Sequence, residues 1–289
     1  CWISESVLAG GIRRSSMICL FDKDDELMLN AKMGNWWEEN PQRGLSNNSV
    51  QFDRNNTTYE DFMKVFHKCK ESGCGEPGIV WTNNSDWVIN PCAEISMKSK
   101  GFCNLTSVNI SDLTPDEKGN QELYNRCAAA AVIGTLQAGY TDFNYINPEW
   151  KKNAEDESLI GVSLTGLSAH KDLTQFDFTM AADVVKEVNK RISEIIGINP
   201  AKRATTIKPD GTGAPVLGTS SGIHAWHSKY YKRRIRVNKQ EPIYNYLITN
   251  FPELIEDEQL NSEKNGVLTL IVKSPDNAIT RNDETAIEF

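Results

Sequence analysis

Short apolar runs alternate along this chain with longer segments of amphipathic character. Residues 16–21 and 267–272 are largely apolar over the length of a typical strand, and residues 161–164 and 204–207 have a similar composition. Runs of this kind predict short buried strands.

The segments between these runs have helical periodicity. Apolar residues recur at helical spacing over 180–196, which predicts a helix that stops at Gly197. Residues 122–138 are rich in alanine and predict a second, closely packed helix. The polar segment 30–58 is expected to be the least regular part of the chain. Together the alternating elements predict an α/β fold.

The composition favours a globular protein. With 289 residues, of which 39% are hydrophobic, the chain can build one large or two ordinary domains. No signal peptide is recognisable, and no apolar run approaches the ~20 residues of a membrane helix, so no membrane partner is expected. Seven cysteines at irregular spacing do not resemble a secreted disulfide framework and predict a reducing, cytoplasmic location.

The charge pattern argues against two further classes of function. A formal net charge of −8 disfavours nucleic-acid binding, and the basic stretch at 229–236 is expected to be a strand with a solvated charged edge. Cys69 and Cys74 lack a second ligand pair at zinc-site spacing, and the four histidines form no metal motif. We therefore expect no metal ligands from the protein.

Four residues within fourteen positions have the chemistry of a redox and proton-transfer site: Asn90, Cys92, Glu94 and Cys103. In an extended segment, residues two positions apart point to the same side, so Asn90, Cys92 and Glu94 are expected to face one substrate. A carboxylate can accept a proton, an amide can bind hydroxyl groups, and thiols can take part in redox chemistry. The alternative is that both cysteines are buried structural residues.

Asn-Pro-Cys-Ala-Glu at residues 90–94, followed by Phe-Cys-Asn-Leu at 102–105, resembles the catalytic finger loop of ribonucleotide reductases. The short spacing of the two thiols is most similar to the adenosylcobalamin-dependent class II enzymes, especially the monomeric branch that reduces triphosphates. Further segments resemble the family in the same chain order. They lie at residues 9–15, 45–50, 160–166, 205–212 and 220–224.

The resemblance implies part of a ten-stranded α/β barrel with the finger loop, at about residues 88–105, in its centre. It also implies that residues 1–289 form a partial catalytic barrel domain. We expect the N-terminal and C-terminal parts of the full enzyme to be absent, because the family's first redox strand and a C-terminal cysteine pair are not recognisable. Alone, the chain is then expected not to complete multiple turnovers.

The resemblance also assigns roles to the residues. In the family, homolysis of a cobalt–carbon bond produces a thiyl radical on the finger-loop cysteine, here Cys92, which removes the 3′ hydrogen of the substrate. Glu94 would deprotonate the 3′ hydroxyl, and Asn90 would hold the sugar hydroxyls while the 2′ hydroxyl leaves as water. Cys103 would reduce the intermediate together with a partner cysteine.

Binding residues, cofactor and partners follow from the same resemblance. The implied cofactor is adenosylcobalamin, and the implied partners are a ribonucleotide substrate, a deoxynucleotide effector and thioredoxin or a similar dithiol. The effector loop would contain Gly10, Gly11, Arg13 and Arg14. The substrate would be bound by Ser46, Asn47, Asn48, Lys208, Pro209, Asp210, Gly211, Thr212 and Gly213. Glycines and hydroxyl side chains in 208–213 and 218–222 suit a phosphate, although such residues are also those of ordinary turns.

Two alternatives remain open from the sequence. The chain can be part of an iron-dependent class I catalytic subunit acting on diphosphates, which needs a radical-generating partner. It can also be a noncatalytic nucleotide-binding relic, in which Cys92→Ser would change nothing measurable.

Overall fold

A computed structural model describes residues 16–259, 262–285 and 287–288. The predicted effector-loop residues Gly10, Gly11, Arg13 and Arg14 lie outside this part of the chain, so their assignment stays a prediction. The described chain forms two compact units. The first comprises residues up to 106, 128–162 and 183–208, and the second comprises 107–127, 163–182 and 209 onward.

Helices and strands alternate along the described residues, which confirms the predicted α/β class. The helices are α1 (Glu26–Leu29), α2 (Trp36–Glu39), α3 (Tyr59–Ser72), α4 (Glu117–Ala138), α5 (Pro148–Glu157), α6 (Phe178–Ile196), α7 (Gly213–Val216) and α8 (Pro242–Asn250). The strands are β1 (Met17–Phe21), β2 (Ser46–Asp53), β3 (Gly78–Thr82), β4 (Trp87–Ile89), β5 (Ser96–Lys98), β6 (Asn104–Asn109), β7 (Ile160–Thr165), β8 (Tyr230–Asn238), β9 (Ile255–Asp257) and β10 (Asn265–Lys273). No described helix is long and apolar enough to cross a bilayer.

Both predicted helices are present as α4 and α6. Helix α4 begins five positions before the predicted start at residue 122, and α6 begins at Phe178. Gly197 follows the last residue of α6 with a positive φ of 75°, a conformation that glycine adopts at little cost. The expected stop signal is therefore confirmed.

The first unit contains a three-stranded parallel sheet with β2 between β1 and β3. Val50 and Phe52 of β2 are almost fully buried, and they pack with Leu29 of α1 and Val65 of α3. The expectation that 30–58 would be irregular is wrong for β2. The strand was missed because its first half is polar, yet Ser46 and Asn48 are buried at the centre of the sheet.

The predicted finger loop contains a β-hairpin of the first unit. Strands β4 and β5 pair antiparallel, from Trp87 opposite Lys98 to Ile89 opposite Ser96, and leave residues 90–95 as the tip. Ile95, the last residue of the tip, and Met97 of β5 pack with Leu159.

The expected strand at 204–207 is much reduced. Only Thr205 forms a bridge, which is parallel to Val162 of β7, and the neighbouring backbone follows β7 through hydrogen bonds such as Thr206 N to Val162 O at 3.0 Å. Strand β7 itself covers the predicted segment 161–164.

The second unit contains the antiparallel sheet β8–β10–β9. The basic stretch lies on β8, an edge strand, where Arg234 and Arg236 form ion pairs with Glu256 and Glu258. The expected charged edge strand is confirmed. Strand β10 is present but less buried than predicted, because Ile271 is 71% exposed.

Candidate active site

The hairpin tip is a tight turn built around Asn90. The main-chain N–H of Asn90 donates to the carbonyl of Ile95 at 3.1 Å, and the N–H of Ile95 donates to Asn90 Oδ1 at 2.9 Å. Ala93 has a φ of 66°, which reverses the chain. The tip is thus not the extended segment from which we predicted a common face, and the amide oxygen of Asn90 stabilises the loop itself.

Glu94 lies close enough to both thiols to affect their ionisation. Burial and, secondarily, the negative charge of Glu94 raise the pKa of the Cys92 thiol. The same two causes raise the pKa of Cys103 to about 12. Cys92, Glu94 and Cys103 therefore form one electrostatic cluster in the first unit, and their catalytic roles stay a prediction.

The carboxylate of Glu94 is held in an unusual environment. Its Oε2 atom is buried and has no hydrogen-bond partner among the described residues. A buried carboxylate oxygen without a donor is costly, and such groups concentrate at functional sites. The main-chain carbonyl of Glu94 accepts a hydrogen bond from Thr206 Oγ1 at 2.9 Å.

Cys92 and Cys103 differ in their surroundings. Cys92 is exposed at the hairpin tip, whereas Cys103 is half-buried directly before β6. Cys103 lines a cleft of about 460 Å³ in the first unit, together with the aromatic residues Phe102, Tyr140 and Phe143. Cys103 is therefore next to a cleft whose described lining contains no residue of the hairpin tip.

Two positive charges on the segment that follows α6 act on the cluster. Lys208 lowers the pKa of Cys92, and Arg203 lowers that of Cys103, although burial and Glu94 outweigh both effects. The guanidinium of Arg203 also lies 4.7 Å from the ring centre of Trp87, in the first strand of the hairpin. Its other partner is the buried carboxylate of Glu157, at 3.6 Å.

The predicted substrate residues of β2 have two different positions. Ser46 and Asn48 are buried, while Asn47 is exposed and donates from Nδ2 to the carbonyl of Pro91 at 2.7 Å. Asn47 therefore contacts the backbone beside Cys92. The spacing of residues in the sequence does not reveal this contact.

Sequence analysis missed three residues that contact the hairpin. Gln51 Nε2 donates to the carbonyl of Trp87 at 2.7 Å, and Thr206 and Arg203 make the contacts described above. Their partners are main-chain carbonyls and a ring, so no pattern of side-chain types marks them. The alternation of β2 is the only signal that could have placed Gln51 on the same face as Asn47.

The predicted phosphate loop belongs to the second unit, apart from Lys208. Asp210 is buried with a φ of 50°, and Ser221 Oγ donates to the carbonyl of Pro209. A Cβ on Gly213 would lie 2.5 Å from Asp210 Oδ1, so glycine is required by this close approach. Pro209 and Gly213 thus bracket a compact turn, with Gly211 and Thr212 exposed.

A second segment of this unit is tied to the end of β7. Thr165 Oγ1 donates to the carbonyl of Ser220 at 3.0 Å and accepts from the N–H of Gly222 at 2.9 Å. Ser168 Oγ lies 2.8 Å from Ser220 Oγ. Thr219 Oγ1 is buried without a hydrogen-bond partner in the described part of the chain. The hydroxyls of Ser220 and Ser221 are therefore held by hydrogen bonds, whereas that of Thr219 is buried without one.

Comparison with known proteins places this fold among the ribonucleotide reductases. No family model matches the chain. The crystal structure of a B12-dependent, class II ribonucleotide reductase superimposes with a TM-score of 0.66 at 22% identity, over 91% of this chain and 42% of that one. The class Id α subunit of Actinobacillus ureae superimposes with a TM-score of 0.55 at 13% identity, over 80% of this chain and 52% of that subunit. The predicted α/β reductase fold is confirmed.

Sequence comparison indicates which kind of ribonucleotide reductase the chain resembles. The chain is 26% identical over 265 residues to the adenosylcobalamin-dependent ribonucleoside-triphosphate reductase of Euglena gracilis, over 85% of this chain and 35% of that protein. It is 26% identical over 292 residues to the enzyme of the same description from Lactobacillus leichmannii, over 83% and 37%. The chain is a relative of the adenosylcobalamin-dependent ribonucleotide reductases, as the motifs implied. It spans little more than a third of the length of these curated relatives.

Proposed function

We propose that this chain carries the radical and redox chemistry of an adenosylcobalamin-dependent ribonucleotide reductase. The reaction would convert ribonucleoside triphosphates to 2′-deoxyribonucleotides, with a dithiol oxidised to a disulfide and the 2′ hydroxyl released as water. The observation that carries the proposal is the cluster of Cys92, Glu94 and Cys103 at and beside the hairpin tip, in which burial and then the charge of Glu94 raise the pKa of both thiols.

The residues present suit a radical cofactor. Adenosylcobalamin, when bound, supplies a carbon-centred radical able to take a hydrogen atom from a thiol. Hydrogen-atom transfer requires the S–H form, and burial followed by the charge of Glu94 shifts the pKa of Cys92 in the direction that favours this form. Cys92 is also exposed at the hairpin tip, where a cofactor or a substrate can reach its sulfur.

Glu94 and Asn90 would handle the sugar hydroxyls. The unpartnered Oε2 of Glu94 is an acceptor available to the proton of the 3′ hydroxyl. Asn90 uses Oδ1 for the loop, so its Nδ2 donors are the atoms left for a substrate hydroxyl.

Cys103 would provide reducing equivalents. Its high pKa keeps the thiol neutral, and the cleft beside it gives an external dithiol access to the sulfur once it is oxidised. A thioredoxin-like protein would therefore be the partner that renews the thiol. Six described cysteines are free, which suits the reducing cytoplasm where such a partner acts.

Substrate and effector contacts complete the proposal. Ser46, Asn47 and Asn48 would position the substrate from the first unit, and residues 208–213 would bind its phosphates. Residues 10–14 would respond to a deoxynucleotide effector. Compact turns with glycine and hydroxyl groups support the phosphate assignment.

The test is nucleotide reduction by this segment grafted in place of the matching part of the Euglena gracilis enzyme. With adenosylcobalamin, a dithiol and a ribonucleoside triphosphate, the graft should form deoxynucleotide. Cys92→Ser should reduce the rate by at least about a thousandfold, because serine cannot form a comparable radical. Cys74→Ser, an exposed thiol away from the hairpin, is the matched control and should retain activity.

Two results would contradict the proposal. One is a folded graft that binds the triphosphate and the cofactor but forms no product. The other is product formation that Cys92→Ser leaves unchanged, which would move the radical site elsewhere.

A further inference from the structure

Three side chains donate hydrogen bonds to main-chain carbonyls of the finger hairpin. Gln51 bonds the carbonyl of Trp87 at the base, Asn47 that of Pro91 before the tip cysteine, and Thr206 that of Glu94 after it. The three distances are 2.7, 2.7 and 2.9 Å. The hairpin is thus held at its base and on both sides of Cys92 through its backbone, and these contacts do not occupy the side chains of Cys92 and Glu94.

Thr206 is itself firmly placed. Its N–H donates to the carbonyl of Val162 in β7 at 3.0 Å. A Cβ on Gly161 would approach Thr206 Cγ2 to 3.0 Å, so glycine at 161 allows the threonine to lie this close to β7. A rigid strand therefore fixes the hydroxyl that holds Glu94.

Gln51 has an equally rigid base. It pairs with Val80 in the register of the parallel sheet, between the buried residues Val50 and Phe52. Its amide reaches from the central strand β2 to the first residue of β4. The sheet of the first unit is thereby connected to the base of the hairpin.

We propose that Gln51 and Thr206 are positioning residues, which fix the backbone of the hairpin and thereby the place of the Glu94 carboxylate relative to the two thiols. The catalytic purpose of this positioning rests on the proposed function. The placement of Glu94 itself can be tested in the 289-residue chain through the reactivity of its thiols, without any nucleotide reduction.

The charges around each thiol make that placement measurable. Cys92 faces Glu94 and Lys208, while Cys103 faces Glu94 and Arg203. If the tip is released, Cys92 becomes better solvated and Glu94 moves away from Cys103, while the two cations remain on the segment after α6. The pKa of each thiol then falls, and each thiol is alkylated faster at a given pH below its pKa.

The experiment is site-resolved alkylation of the 289-residue chain by iodoacetamide between pH 7 and 10, with each cysteine quantified by mass spectrometry. Thr206→Val removes the hydroxyl and keeps the shape of the side chain. It should raise the rates of Cys92 and Cys103 by roughly twofold or more at pH 8, since the thiolate population changes tenfold for each unit of pKa. Gln51→Leu should act in the same direction, and Thr206→Ser should restore the parent profile.

Thr205→Val is the matched control, because Thr205 is exposed and its hydroxyl has no hydrogen bond within the described residues. Thermal melts of every variant show whether the chain remains folded. Unchanged pH profiles in folded Thr206→Val and Gln51→Leu would overturn the proposal, as would failure of Thr206→Ser to restore the profile. Shifted thiol profiles in the variants, together with a folded parent graft that forms no deoxynucleotide, would instead refute the proposed function alone.

Discussion

Glu94 is the residue on which the properties of the site depend most. It raises the pKa of two cysteines, and one of its oxygens is buried without a partner among the described residues. Glu94 thus adds to burial in favouring the S–H form of both thiols. The proposed hydrogen-atom transfer from Cys92 and reduction by Cys103 both use that form.

The first prediction at this scale concerns Glu94→Gln. The amide keeps the size of the side chain but removes its charge, so the pKa of both thiols should fall. At pH 8 the alkylation rates of Cys92 and Cys103 should rise by roughly threefold or more, measured by mass spectrometry of each peptide.

Glu149→Gln serves as the control for this change. Glu149 pairs with Lys100, and it does not contribute to the pKa shift of either thiol. In Glu149→Gln, Cys92 and Cys103 should be alkylated at the same rates as in the parent chain. A rise confined to one cysteine after Glu94→Gln would show that the carboxylate does not act on both sulfurs.

At the scale of elements, the turn after β7 holds the 219–222 segment in place. Gly166 has a φ of 81°, and a Cβ there would lie 2.9 Å from both Asn109 Oδ1 and Ser111 Cβ, and closer still to Thr219 Oγ1. The N–H of Gly166 also donates to the carbonyl of Gly222 at 3.2 Å. Only glycine permits this conformation and this close packing at once.

Gly166→Ala should therefore destabilise the second unit by about 3 kcal/mol or more, from backbone strain and steric overlap together. Gly218→Ala is the matched control, since Gly218 has a φ of 70° but no atom within 4 Å of the added Cβ. It should cost only about 1 kcal/mol. Urea unfolding of both variants tests the difference, and equal losses would mean that the close contacts are unimportant.

The elements also show which features the sequence could predict. Helix α6 could be predicted from its apolar periodicity and from Gly197. Cys92 and Cys103 were selected as candidate site residues by their spacing and by the family resemblance. Strand β2 could not be predicted, because its buried positions include the polar residues Ser46 and Asn48. Their burial depends on neighbours that are distant in sequence. The contacts of Gln51 and Thr206 also escaped prediction, since a hydrogen bond to a main-chain carbonyl leaves no trace in the identity of the accepting residue.

At the scale of the whole molecule, each compact unit contains a thiol with a strongly raised pKa. Burial raises the pKa of Cys127 in the second unit from 9.0 to about 11. Burial and Glu94 raise that of Cys103 in the first unit from 9.0 to about 12. The two units should therefore share a sensitivity to alkaline pH, although their sequences differ.

The sign of this effect follows from proton linkage. A folded-state pKa above the unfolded value means that the unfolded chain loses the thiol proton first as pH rises. The stability linked to each thiol is thus fully present below about pH 9 and is lost as pH rises through the folded pKa. The full loss has an upper limit of about 3 kcal/mol for Cys127 and about 4 kcal/mol for Cys103.

Comparing variants separates the stability lost through thiol ionisation from the stability lost through titration of lysine and tyrosine. Urea unfolding at pH 8 and pH 11, under reducing conditions, should show a smaller fall in stability for Cys103→Ala and Cys127→Ala than for the parent chain. The stability of Cys74→Ala, which removes an exposed thiol, should fall by the same amount as that of the parent chain. If all four proteins lost the same stability between these pH values, neither buried thiol would be ionising on unfolding, and the neutral S–H form on which the proposed chemistry depends would not be maintained by burial.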